Sequence, residues 1–579
     1  MYKPAPPRPK KTNIVRSRNG CRTCRERKTK CDEKKPACGT CVRLGKPCVS
    51  IRPELKFRPV AIPAAVRRDT ATTVRESEQG RTRQQPAEDY ENGTSAVGCF
   101  GSLDLIRSLQ HVERDVCYST YWEDRCLPAM HPIFLSLSNV ADRPSQSMLR
   151  ESILALSSCQ FSRQQVERKI SSASHMESFS PSLSHQTRSH LYYSAAITKM
   201  SRIGQQTVSA DTTVVVAVLT LFAYIEASVG NFQGFRCHVN GMSQLLESHP
   251  GILNDPVNKA LILAWMQIRF VNWWSRAYFS SFDVHRRLPP VPLPPSLEGN
   301  YELLHNRRVL VLSILCESHR LNSCEVLRCV GIDAAVNTAE DGRPTGPDGS
   351  LEACFHGLDE QERRLDDWLA HLPPSDLPIF DGQPSGDAGG LEDPRLPIYF
   401  KYHDAALNYA YYALCRVMQC RGLLRSLQCR SPQSDVYRFE EEEGWIWLLL
   451  RIVKGTSFQT SLARNNYTVG FQGLLLAALL RCQSPALGVE IQNWVQTLAD
   501  LQPTEEGAFP IYQTLGVIKA INSQKQAGVD VVGVTQPVDD GGGTPKLTAF
   551  NSQPIDKVVF YGRCRTTGVV VAKCVPIET

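Results

Sequence analysis

No stretch of this sequence is apolar for long enough to cross a bilayer. The best run, Val214 to Ile225, stops at Glu226, well short of the roughly 20 residues a spanning helix needs. Leu474 to Leu480 is shorter still. Both read as buried helices, and no membrane partner is expected. Catalytic signatures are equally scarce. There is no Gly-x4-Gly-Lys-Ser/Thr phosphate loop, no Gly-x-Ser-x-Gly and no His-Glu-x2-His, which removes the familiar NTPase, acyl-hydrolase and zinc-protease readings. The run Asp539-Asp540-Gly541-Gly542-Gly543 lacks a strand-then-helix context and reads as a flexible linker. The chain is therefore read as a non-enzyme. Strand-like alternation is rare as well, which turns the expectation towards helices.

What the chain does have is a dense run of cysteines near its amino terminus. Cys21, Cys24, Cys31, Cys38, Cys41 and Cys48 follow Cys-x2-Cys-x6-Cys-x6-Cys-x2-Cys-x6-Cys, one half-motif written twice. A close pair and then a third cysteine is ligand spacing. Four thiolates close one tetrahedral zinc site, and two separate sites would need eight. Six suffice if two are shared, which gives a two-zinc cluster. A disulfide framework would suit a secreted chain, and no signal peptide precedes the run. A segment this small buries too little apolar surface to fold alone. Metal binding then supplies the folding free energy, on the order of 10 kcal/mol per site.

Charge is concentrated in the same place. Residues 1–50 hold 15 Lys and Arg against 3 Asp and Glu, and the remainder is 50 against 55. A basic head on a mildly acidic body fits nucleic-acid binding by the head alone. Between Cys24 and Cys31 there is no Gly or Pro, and a short helix is expected. The second half is stopped by Gly45 and Pro47 after Val42-Arg43-Leu44. The first half carries Arg22, Arg25, Arg27, Lys28 and Lys30, the second Arg43 and Lys46. If one helix enters a groove it is the first, where a Lys or Arg can read guanine O6 and N7. The plainer alternative for any one of these cations is a phosphate contact or a solvated charge.

The stretch from Cys21 to Cys48 resembles the fungal Zn(II)2Cys6 binuclear cluster, the DNA-binding module of a family of transcription factors. The resemblance also rests on Pro36, two residues before the fourth cysteine, and on the basic run Arg25-Glu26-Arg27-Lys28-Thr29-Lys30. It implies two Zn²⁺ per chain, with Cys21 and Cys38 bridging the metals. It implies that Lys28 makes the base contact with help from Arg27, while Arg25 and Lys30 are read as phosphate contacts. The implied partner is double-stranded DNA carrying CGG triplets. The implied role is regulation of RNA polymerase II genes in the nucleus, as a regulator specific to a pathway or gene cluster. A second reading is a zinc-dependent nucleic-acid or protein interaction module without sequence-specific regulation. A third is an enzyme in the helical body tethered to chromatin.

The expected organisation is a disordered basic arm (1–19), the Zn2Cys6 domain (20–50), a linker (51–101), a large all-α regulatory domain (102–525) and a tail (526–579). Pro53, Pro59 and Pro63 break the linker, and no apolar heptad survives in it. Residues 1–98 are thus expected to bind DNA as a monomer, and any homodimer to form through the helical domain. Helices are expected at 191–203, 212–227, 256–279, 302–320, 358–371, 398–427, 440–462, 470–483, 487–501 and 511–524, with Asp211 capping the second and Gly230 ending it. A further helix should carry Phe235, His238, Met242, Leu245 and Leu246. The stretch Leu219 to Glu226, with Gly230, Phe235, His238, Gly241 and Leu245-Leu246, is similar to the fungal-specific transcription factor regulatory domain. That implies a region that dimerises, binds effectors or contacts co-regulators, and transfers no site. His238 itself reads as a core or capping histidine. The acidic run Glu440 to Glu443 beside Trp445 and Trp447 reads as a helix N-terminus in preference to an activation patch. After Gln526, Val558-Val559-Phe560 and Val569-Val570-Val571 are β-prone, but no core is visible for them, and a disordered tail is expected.

Overall fold

The computed structural model describes scattered residues from Cys21 to Cys48, then residues 113–141, 146–164, 167–170, 177–202, 212–285, 287–329, 351–379, 396–428, 440–537 and 557–577. The expected arm (1–19), the linker (51–101) and the Asp211 cap lie outside the described residues. The chain divides into two units, Met1–Val60 and Ala61–Thr579.

Among its described residues the first unit has the short helix α1 (Gly39–Arg43), and Thr23 and Cys24 are helical as well. Among the described residues its buried side chains are cysteines: Cys21, Cys24, Cys31, Cys38 and Cys41, with Cys48 packed against them.

The second unit is a helical array with one large core. Its principal helices are α2 (Ser147–Gln164), α3 (Leu183–Met200), α4 (Thr212–Ser228), α5 (Phe232–Ser248), α6 (Pro256–Tyr278), α7 (Leu304–Cys329), α8 (Leu351–Ala370), α9 (His403–Gln419), α10 (Glu440–Lys454), α11 (Phe471–Leu479), α12 (Pro485–Asp500) and α13 (Ile511–Gln526). A hairpin of β1 (Glu167–Ile170) and β2 (Glu177–Ser180) follows α2. Helix α4 is apolar all round and is buried from Val214 to Glu226, as a helix inside a large core must be. It stops where the sequence predicts. Gly230 takes φ +70°, and the Gly230 and Asn231 amides donate to the Ala227 and Glu226 carbonyls at 3.1 and 2.9 Å, a Schellman ending. Asn231 then caps α5, its side chain accepting from the Gly234 amide at 3.1 Å. His238 on α5 is buried against Phe222, its Nε2 2.5 Å from the Tyr193 hydroxyl and 3.8 Å from Glu226, the packing role expected of it. Glu440 to Glu443 form the first turn of α10, with Ile446, Leu449 and Leu450 buried behind them.

Several charged groups inside the body are paired. On α7, Arg308 donates to Asp404 at 2.6 Å and Asn408 at 2.9 Å, and Arg307 donates to Asp376 at 2.6 Å. The buried N-terminus of α11 is capped from afar, since the Glu506 carboxylate accepts from the Phe471 and Gln472 amides at 3.0 and 3.1 Å.

The tail departs from expectation. Residues after Gln526 form a three-stranded antiparallel sheet, β3 (Val529–Thr535), β4 (Lys557–Cys564) and β5 (Val570–Pro576), in the order β3-β4-β5. Val531, Val534, Val558, Phe560, Val575 and Ile577 enter the main core. The strands have no core of their own, as the sequence indicates. They borrow that of the body, and Gln536 is hydrogen-bonded to Ser280 at 2.9 Å.

Candidate metal centre

The six cysteines come together because each half-motif makes the same local turn. In the first half, the Arg27 amide returns to the Thr23 carbonyl at 3.2 Å and Thr29 to Cys24 at 3.0 Å, a helical turn. In the second, Cys38 is the N-cap of α1, its sulfur accepting from the Cys41 amide at 3.4 Å. The Cys38 amide in turn donates to the Cys48 sulfur at 3.3 Å.

The sulfurs form two groups of four: Cys21, Cys24, Cys31 and Cys38, and Cys21, Cys38, Cys41 and Cys48, each with all its sulfurs within 4.8 Å of one another. The members common to both are Cys21 and Cys38, whose sulfurs lie 3.8 Å apart. Cys21 is 3.5 Å from Cys41, and Cys24 is 3.6 Å from Cys38. A disulfide needs about 2.05 Å. Two sulfurs on one tetrahedral zinc, each about 2.3 Å from it, would be separated by about 3.8 Å. The donor set therefore fits metal, and each group could hold one ion.

Without a cation the thiols are unequal. The Cys24 and Cys41 amides pull the Cys21 and Cys38 thiols below the ordinary range, whereas burial pushes Cys24 up to about 12 and also raises Cys41. A coordinated metal overrides this, since a bound thiol loses its proton.

The scaffold has contacts that spacing did not reveal. Both carboxylate oxygens of Asp32 accept from the Gly39 amide at 3.0 Å, so Asp32 and Cys38 together cap α1. A Cβ at Gly39 would lie 2.7 Å from the Asp32 carboxylate. The Thr23 hydroxyl donates to the Pro47 carbonyl at 2.7 Å, tying the first half to the end of the second. Asp32 lies seven residues ahead of Gly39, beyond the adjacent N-cap position that a sequence signals, so this cap comes from closure of the chain. Of the candidate DNA contacts, Arg27 is exposed on the turn after Cys24. Arg25, Lys28 and Lys30, with Pro36, lie outside the described residues.

Residues 19–57 match the model of the fungal Zn(2)-Cys(6) binuclear cluster domain. The chain carries a fungal zinc-cluster domain. The curated relatives of this domain include the transcription activator AMTR1 of Alternaria alternata, 52% identical over 44 residues, 8% of this chain and 6% of that protein. The lysine biosynthesis regulatory protein LYS14 of Saccharomyces cerevisiae is 51% identical over 45 residues, 7% of this chain and 6% of its own. The Zn(2)-C6 fungal-type transcription factor afumD of Aspergillus fumigatus is 55% identical over 38 residues, 7% and 10% of the two chains. The likeness is confined to the zinc-cluster domain, and the chain spans at most a tenth of the length of these relatives. No solved structure matches the chain. Among the described residues, no helix is long and apolar enough to cross a membrane.

Proposed function

We propose that this chain is a nuclear, sequence-specific DNA-binding regulator of transcription, whose zinc-cluster domain binds double-stranded DNA. The observation that carries the reading is the pair of four-sulfur groups sharing Cys21 and Cys38. Cys21, Cys24, Cys31, Cys38, Cys41 and Cys48 would hold two Zn²⁺ per chain, with Cys21 and Cys38 in contact with both. When bound, the metals supply the folding free energy that the small unit lacks. The residues themselves do the recognition: Lys28, with Arg27, reads guanine edges of a CGG triplet in the major groove, and Arg25 and Lys30 hold phosphates. The likeness to a transcription activator and to a lysine biosynthesis regulatory protein supports a role in one pathway or gene cluster, and the genes it would regulate are those of RNA polymerase II.

The helical body is the regulatory region in this reading, contacting co-regulators and joining two chains where a homodimer forms. The test is competition binding of the full chain to a CGG duplex. Specific binding survives excess unrelated DNA, while charge-only binding is lost to it and falls steeply with salt. Loss to unrelated competitor would favour the interaction-module reading instead.

A further inference from the structure

The helical body contains a cavity of about 290 Å³ between α7, α8 and the loop that carries Glu298 and Tyr301. That is at the small end of ligand pockets, which run from about 300 to 1,000 Å³, and it limits an occupant to a small metabolite. The floor is apolar, formed by Leu310, Ile314 and Trp368, all buried. Most polar groups on the walls already have partners. Glu360 pairs with Arg363. Asp367 accepts from the Tyr301 hydroxyl at 2.6 Å, and the Tyr301 ring lies flat on His371, with centroids 4.3 Å apart.

Two wall groups are different. Arg364 and Glu298 form a loose ion pair at 3.8 Å, longer than a hydrogen bond. Arg364 is nevertheless held in place. Its guanidinium donates to the Gln361 side chain at 3.0 Å and to the Ser313 hydroxyl at 3.3 Å. A fixed cation and a loosely paired anion above an apolar floor complement a molecule with adjacent charges of both signs and an apolar substituent.

We infer that this cavity binds a small zwitterion with an apolar side chain, a free α-amino acid of the leucine or phenylalanine kind. Its carboxylate lies on Arg364, its ammonium on Glu298 and its side chain on Trp368, Leu310 and Ile314. A simple anion would meet the carboxylates of Glu298, Glu360 and Asp367, and a simple cation would meet Arg363 and Arg364. Only the zwitterion satisfies both sides, and charge-assisted contacts to each end are the strong kind. This inference goes beyond the DNA-binding reading and does not depend on it, because it concerns the body alone.

The experiment is titration calorimetry on the full chain, without DNA, using L-phenylalanine, L-leucine, N-acetyl-L-phenylalanine and phenethylamine. The two amino acids should bind saturably, and each truncated analogue should bind roughly tenfold or more weakly, as loss of one charged contact implies. Arg364→Ala should weaken phenylalanine by a similar factor. Glu298→Gln, at a half-exposed position where folding is not at stake, should erase the preference for phenylalanine over its N-acetyl form. No saturable heat from either amino acid at millimolar concentration would overturn the inference. So would equal binding of all four compounds, or an unchanged preference in Glu298→Gln.

Discussion

The two units of this chain are stabilised by opposite means. In the first, the buried side chains among the described residues are cysteines around two four-sulfur groups. In the second, a large main core draws on residues from Tyr121 to Ile577, with tryptophans, leucines and valines among them, and buried arginines such as Arg307 and Arg308 are tied to carboxylates. The small unit depends on ligand chemistry, the large one on hydrophobic burial and packing. Stability of one should therefore be removable without the other.

The largest effect expected is on the metal. Chelation should unfold residues 21–48, removing on the order of 10 kcal/mol per site, while the helical circular dichroism of the body stays nearly intact. Measured zinc should be two per chain, and a value near one would sink the shared-thiolate arrangement. Cys21→Ser or Cys38→Ser should lose both ions together, whereas Cys31→Ser should spare the group of Cys21, Cys38, Cys41 and Cys48. Next comes the core of the body. Trp274→Ala and Phe560→Ala, both at buried positions, should each cost about 3–5 kcal/mol in denaturant unfolding and leave zinc content unchanged. A silent Phe560→Ala would show that the terminal sheet adds nothing to the core.

Smaller effects sharpen the contrast within the head. Lys28→Ala should cost about 1–3 kcal/mol at a CGG site and flatten discrimination between triplets. Lys30→Ala should instead weaken all sequences alike and lower the salt slope by roughly one. Equal loss of discrimination from both would mean their roles are misassigned. The smallest change is Asp32→Ala. Removing this cap should cost about 0.5–2 kcal/mol, read as weaker zinc retention against a competing chelator, with the body's unfolding curve unmoved. Retention identical to the parent would leave Cys38 as sufficient cap for α1.

Periodicity was a good guide wherever the buried face is aliphatic. The expected 256–279 helix is α6, Pro256–Tyr278, and the expected 511–524 helix is α13, Ile511–Gln526. It was poor where burial is polar. No helix was expected at α2, whose interior includes Ser152, Ser157, Ser158 and Ser162. Each of these hydroxyls donates back to a carbonyl three or four residues earlier, which satisfies them inside the helix but hides the apolar stripe from the sequence. The expected 398–427 helix divides because α9 stops at Gln419, and the 440–462 helix divides at Gly455, where a Cβ would strike the Ile398 carbonyl. The tail failed for a non-local reason. Its strands pack on elements far away in sequence, and no window along the chain reports that. In the head, spacing pointed to the six cysteines as one constellation, and the structure gathers their sulfurs. The Thr23 and Asp32 braces depend on the three-dimensional closure of the two halves.

The placement of the terminal sheet also has a consequence in time. Synthesis runs from the amino terminus, and domains begin to fold as they emerge. The cysteine unit is complete once residue 48 has been made, long before the body exists. The main core of the body stays incomplete until Val558, Phe560, Val575 and Ile577 arrive, because they are part of it. A message cut short upstream of residue 557 would therefore yield a finished head on an unsealed body, with apolar surface left open to chaperones and proteases. The terminal strands thus couple the packing of the body to residues synthesised long after the cysteine motif.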